Sequence, residues 1–178
     1  MDASVDQAAF RGALSRFASG VTVVSTTDGG LDHAMTASAF TSVSLIPPLV
    51  LVCSNRGSRF HDAVRRSRRW AVSVLSEEGR EASAWFAHRG RPLESQFDDV
   101  AHHRSPDGLP LLDHALSWLE CRTVEEHDGG DHLILVGEVT WAAFRDDIDD
   151  PLLYYRSHYG TIVRQDESEK TVYGGGET

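Results

Sequence analysis

Apolar and polar positions along this chain follow two periods, and the change from one to the other marks its elements. Near the N-terminus Phe10, Leu14 and Phe17 recur at i, i+4 and i+7, one face of a helix that Asp6 caps and Gly20 stops. The segment VTVVSTT then reads as a strand. Asp28, Gly29 and Gly30 after it offer the positive dihedrals of a tight turn, so the stretch from His33 onward is the second arm of a hairpin. That arm is unusual in composition. Thr36, Ser38, Thr41, Ser42 and Ser44 alternate with small residues where large core side chains would be expected, which lets a backbone approach something flat. After Pro47 and Pro48, the run LVLVC lacks polar alternation and predicts a strand buried on both faces.

Two further helices are expected. One starts at Ser58 with Phe60, Ala63 and Val64 inward; the other starts near Ser76 with Ala82, Trp85 and Phe86 inward; WAVSVL lies between them as a strand. Residues 88–110 are mixed and polar and read as a long surface excursion. LSWLECRTVEE and HLILVGEVTWAAF flank the turn HDGGD, a second long hairpin with the same Asp-Gly-Gly signal as the first. About six or seven antiparallel strands with about three helices define a mainly β fold with α, a small barrel or sandwich carrying helices on its outside.

Composition narrows the function. With 178 residues, one domain over residues 1–164 is expected, followed by a loose tail at 165–178 that holds three consecutive glycines. Seventeen Lys and Arg against 27 Asp and Glu give a net charge of −10, which disfavours nucleic acid as a partner. Cys53 and Cys121 are far apart, lack zinc spacing, and are expected to be reduced and buried. No basic start with an apolar stretch opens the chain, and no apolar run reaches the roughly 18 residues of a membrane span, so the cytoplasm is the expected location.

Several chemistries lack their motifs: no G-x-G-x-x-G follows a strand, and G-x-x-x-x-G-K, G-x-S-x-G and H-E-x-x-H do not occur. The positive signals each compete with a plainer reading. The hydroxyls of MTASAF suit the polar edge of a heteroaromatic ring, or a solvated edge strand. CSNRGSRF brings Asn55, Arg56, Ser58 and Arg59 to a helix start that suits a phosphate, although Ser58 as an N-cap alone stabilises a helix by about 1 kcal/mol. His132 stands beside a hairpin turn with a side chain that titrates in the working range, or simply at the surface. The aromatic group YYRSHYG covers a ring or closes the barrel.

Taken in order, FASGVTVVST, HAMTASAFTSVSL, PPLVLVCSNRGS, WFAHRG, GDHLILVGEV and PLLYYRSHYG resemble the flavin reductase family, the small NAD(P)H:flavin oxidoreductases of two-component monooxygenases, from about Phe10 to Gly160. The resemblance implies an FMN-binding split barrel, Greek-key-like with flanking helices, a homodimer with sites near the subunit interface, and hydride transfer from a nicotinamide to flavin. It implies that Thr36, Ala37 and Ser38 lie against the isoalloxazine edge. Cys53, Ser54, Asn55, Ser58 and Arg59 would run toward the ribityl chain and phosphate, with Phe86 and Ala87 nearby and Tyr159 completing the contacts. His132 would stand where the nicotinamide stacks, with an orienting or electrostatic role. FAD or FMN is the implied flavin, NADH is preferred to NADPH, and a separate monooxygenase would receive the reduced flavin by diffusion. Two departures bear on the flavin tail: Ala34 replaces the glycine usual before Met-Thr-Ala, and Gln96 replaces a basic residue before Phe97. A binding module or electron carrier that retains its flavin is the alternative from another class. Haem or pyridoxal phosphate fits less well, since the chain shows no axial-ligand motif and its only lysine is Lys170.

Overall fold

The computed structural model of the chain describes residues 5–146 and 150–163. Among these are three helices, α1 (Gln7–Leu14), α2 (Arg59–Ser67) and α3 (Arg80–Ala87), the last preceded by a short 3-10 turn. The strands are β1 (Ser19–Gly20), β2 (Thr22–Asp28), β3 (Leu31–Ala37), β4 (Phe40–Leu45), β5 (Pro48–Asn55) and β6 (Arg69–Leu75). They continue with β7 (His102–Arg104), β8 (Pro110–Leu112), β9 (Ala115–Gly129), β10 (His132–Phe144), β11 (Leu153–Tyr155) and β12 (His158–Gly160).

Seven strands form the main sheet in the order β3-β2-β6-β9-β10-β5-β4, with every neighbour antiparallel. Its two edges, β3 and β4, are consecutive in the chain, with only Ser38 and Ala39 between them. Three Cα steps reach roughly 11 Å, whereas the edges of a flat sheet of this size stand roughly 28 Å apart. The sheet must therefore roll up. It closes as a barrel split along the β3–β4 seam, where Cys53 donates its amide to Ala39 O at 3.0 Å.

Val24, Val52, Trp70, Val72, Leu133 and Leu135 fill the interior, joined by Phe60 and Val64 from α2. A second core of Val21, Val23, Leu75, Phe86, Phe97, Leu112 and Leu152 fastens α3 to the outer face. Residues Thr22 to Thr26 of β2 are consequently buried on both faces.

Five expectations are corrected by this packing. The first helix ends at Leu14 with Ser15 as its C-cap, and Gly20 does not stop it. Gly20 instead pairs with Leu153, which demands an extended chain. The LVLVC run alternates: Val50, Val52 and Ser54 are buried, but Leu49, Leu51 and Cys53 are half-buried because no layer of the described residues covers their face. Cys121 is buried as expected and Cys53 is not. Residues 88–110 are no surface excursion, because Arg91, Gln96, Phe97 and Leu109 are buried and β7 pairs with β8. The Phe97 ring packs 5.0 Å from Phe86, and that contact draws the segment inward. The helix expected near Ser76 runs regularly only from Arg80. The glycine-rich tail lies outside the described residues.

Candidate active site

Three local devices meet at one edge of the barrel. The first is the β2–β3 hairpin, whose turn places Gly29 at φ 59° and Gly30 at φ 79°, a backbone most L-residues resist. It sets Thr36 opposite Val23. The Thr36 hydroxyl donates to Ser83 O at 2.6 Å, and the Ser83 hydroxyl lies 2.8 Å from the Tyr159 hydroxyl, so β3 is tied to α3 and braced from β12.

The second device is the entry to α2. Asn55 Oδ1 accepts the Gly57 amide at 2.9 Å, turning the chain, and Ser58 caps the helix by accepting the His61 amide at 3.2 Å. This leaves Ser58 and Arg59 at a positive helix end. The third is the segment after α3. Its Arg91 is 8% exposed and donates to the carbonyls of Trp85, Phe86 and His88 at the end of α3, to Ala34 O of β3 at 2.8 Å, and to Gln96 Oε1 at 3.3 Å. Gln96 in turn donates to Asp32 O at 2.7 Å and Leu93 O at 3.2 Å.

Between these walls lies a cleft of about 460 Å³. It brings together six of the expected site residues, Thr36, Asn55, Ser58, Arg59, Phe86 and Ala87. The other six do not line it. Ala37 is buried in the barrel wall, with its carbonyl accepting from Thr22 Oγ1 at 2.7 Å. Ser38 is exposed on the β3–β4 link. Cys53 and Ser54 lie on β5, Ser54 buried with its hydroxyl unpartnered. Tyr159 stands behind Thr36, its ring edge-on to Tyr154 at 5.4 Å. His132 sits opposite Asn55 in the β10–β5 ladder, its Nδ1 2.8 Å from Asp131 Oδ1. The hydrogen bond and charge of His132 hold the Asp131 carboxyl below its ordinary range. A carboxylate acceptor places a proton on Nδ1 and leaves Nε2 outside this hydrogen bond.

The sequence reading missed Arg91 and His33. Arg91 follows the WFAHRG stretch inside a polar segment and resembles a surface residue until the fold encloses it. His33 is 7% exposed, lines the cleft, and has a buried Nδ1 without a partner. Burial pulls its imidazole below the ordinary value, against the opposing pull of Asp28. Burial likewise lowers Arg91, helped by repulsion from Arg59. The excess of arginine charge suits an anionic ligand, and the unpartnered His33 Nδ1 suits a polar one. The small strand residues beside Thr36 suit a planar one. A flavin carrying a phosphate has these properties, so the residues present fit that group.

A rolled antiparallel sheet with a cation-walled cleft at its seam defines a barrel that binds flat, charged small molecules. The chain belongs to the flavin reductase like domain family, whose sequence pattern matches residues 14–163. It is 39% identical over 159 residues to the reductase component of a 4-nitrophenol 4-monooxygenase/4-nitrocatechol 2-monooxygenase of Rhodococcus opacus, covering 89% of this chain and 83% of that one. It is 41% identical over 156 residues to an NADH-dependent FMN reductase of Agrobacterium fabrum, covering 88% of this chain and 86% of the other. Among solved structures, it resembles the flavin reductase component of a bacterial two-component tryptophan halogenase, with a TM-score of 0.83 and 38% identity over 90% of this chain and 100% of that one. The NADH:FAD oxidoreductase of Streptomyces globisporus, solved with NAD and FAD fragments, gives a TM-score of 0.83 and 34% identity over 89% of this chain and 93% of the other.

Proposed function

We propose that this protein is an NADH-dependent flavin reductase that takes FAD or FMN as a diffusible substrate and supplies the reduced flavin to a separate monooxygenase. The observation that carries this reading is the cleft at the barrel seam, where Thr36, the start of α2 and Arg91 converge. It is supported by the reductase components to which the chain is similar. A bound flavin supplies the redox chemistry, accepting two electrons and a proton from the nicotinamide as a hydride.

The chain's own residues position and polarise. Thr36, Ala37 and Ser38 form the small-residue edge for the ring, and the Thr36–Ser83 bond keeps that edge fixed against α3. Ser58, Arg59 and the first amides of α2 hold the phosphate end. His132, held by Asp131, orients the nicotinamide through Nε2 and acts as no obligatory base. Backbone donors near the ring stabilise the negative charge that reduction leaves.

A homodimer completes the reading. Phe10 and Leu14, on one face of α1, are each 57% exposed, and Phe17 beyond its end is 78% exposed, an apolar face that the described residues leave uncovered. A second copy is the partner this face suits. Light scattering on the purified protein is expected to give twice the chain mass, and a monomer at micromolar concentration would remove the homodimer from the reading.

The test of function is NADH and NADPH oxidation followed by absorbance, with no flavin, with FMN and with FAD. Turnover that depends on added flavin and saturates with it is expected, with NADH the better donor. Flavin that stays bound through purification, with no turnover on either nucleotide, would overturn the reductase in favour of a carrier.

A further inference from the structure

The cleft has a charge pattern that the rest of the molecule does not prepare for. The whole chain carries 27 acidic residues against 17 basic ones, yet none of the described residues lining the cleft is Asp or Glu. Three of them are arginines: Arg59, Arg89 and Arg91. Among the described residues, neither Arg59 nor Arg89 makes an ion pair. Other surface arginines do: Arg65 with Glu126, Arg66 with Asp28, Arg69 with Asp107 and Arg104 with Asp32.

Arg91 is the unusual member. A guanidinium at 8% exposure would normally face a carboxylate, because an unpaired buried charge is costly. Here all its acceptors are neutral, four main-chain carbonyls and one side-chain amide, and its Nε is buried without a partner. The Phe86 ring, 5.3 Å away, is its remaining electrostatic support. The carbonyls it caps are the negative end of α3, so that end presents no negative charge to a ligand. His33 Nδ1, also orphaned, lines the same cleft.

These cations come from two separate elements. Arg59 and the α2 start belong to one, and Arg89 and Arg91 to the segment after α3. Both elements line one cleft, and a ligand with two linked phosphates offers an anion to each where a monophosphate offers a single one. We infer that this cleft selects its flavin by the charged tail, with Arg91 as the specificity-determining residue, so that the diphosphate of FAD is preferred to the monophosphate of FMN and riboflavin binds last. This inference rests on the cleft being the flavin site and extends that reading to the choice of flavin.

Calorimetric titration of the full chain with riboflavin, FMN and FAD tests it, at low and at high salt, for wild type and for Arg91→Gln, Arg91→Lys and Arg89→Gln. Wild type is expected to bind FAD at least tenfold more tightly than riboflavin, a gap of about 1.4 kcal/mol, with FMN between and the gap shrinking in salt. Arg91→Gln brings the three ligands to within about threefold of one another, and Arg91→Lys retains the ranking because it retains the charge. Arg89→Gln weakens FAD about threefold and leaves riboflavin unchanged; being exposed, that position keeps the test decisive if Arg91 variants do not fold. Wild-type affinities for FAD and riboflavin within threefold would overturn the inference. So would an equal loss for all three ligands in both Arg91 variants with a lowered melting temperature, which would make Arg91 only a staple of the wall. Absence of NADH turnover with the ranking intact would count against the reductase reading alone.

Discussion

Replacing Gly137 by alanine would place a Cβ 2.5 Å from Trp70 Cζ2 and 3.0 Å from both Trp70 Cε2 and Cys121 Cβ. Carbon atoms prefer about 3.5–4.0 Å, and neither neighbour has room to retreat. Trp70 is wholly buried, Cys121 is 2% exposed, and the indole N–H is tied to Thr123 Oγ1 at 3.2 Å. The backbone is fixed as well, because Gly137 pairs with Thr123 on one side and Val50 on the other, beside a register shift in the β9–β10 ladder. Overpacking a filled core costs about 1–3 kcal/mol, and an overlap of this size belongs at about 3. In a chain of this length each kcal/mol lowers the melting temperature by about 2–4 °C, so a drop of about 6–12 °C is expected. Urea unfolding should show a lower midpoint with an unchanged slope. Trp70→Leu removes the clashing ring atoms, so the double variant should be less destabilised than the sum of the two by at least about 1 kcal/mol. A Gly137→Ala protein within about 0.5 kcal/mol of wild type, or strictly additive effects, would refute this account of the barrel core.

Thr36→Val leaves the Ser83 carbonyl without its donor and should cost about 1–3 kcal/mol; Thr36→Ser should restore both stability and the Michaelis constant for flavin, and failure of that rescue would show that the methyl matters more than the bond. Burial raises the Asp32 carboxyl, but hydrogen bonds from Arg104 and Thr27 and the Arg104 charge outweigh it and hold it below its ordinary 3.8. A depressed carboxyl stabilises the fold above its unfolded value and loses that contribution as pH falls through the folded one. Asp32→Asn should therefore cost about 1 kcal/mol at pH 7, after allowance for the half-exposed Arg104, and much less at pH 2–3 in urea melts; an equal cost at both would refute the assignment. His132→Ala should weaken NADH use more than flavin binding, and equal losses in steady-state kinetics and titration would move His132 away from the nicotinamide. Burial and the neighbouring Glu120 push the Cys121 thiol up to about 12, so thiol reagent should label Cys53 first and Cys121 only on unfolding.

Local pattern determined most of the elements. The Asp-Gly-Gly turns, the Ser58 cap and the Phe60, Ala63, Val64 face follow from rules that act over a few residues, and all appear in the fold. Composition marked the hydroxyl-rich stretch, but what reads as one hairpin arm is two strands, β3 with Thr36 and β4 with Thr41, Ser42 and Ser44, at opposite edges of the sheet; motif order carried the family likeness. What it misjudged depends on partners distant in sequence. Gly20 resembles a helix stop until Leu153 pairs with it, and LVLVC resembles a doubly buried strand until the barrel leaves one of its faces uncovered. Arg91 is the sharpest case. Its bond to Ala34 O spans 57 residues, and its burial without a carboxylate arises only when the end of α3, the edge of β3 and Gln96 are packed together. Residue type and spacing express local preference, but the electrostatic environment of a charge depends on which distant segments exclude water from it, and only the tertiary structure decides that.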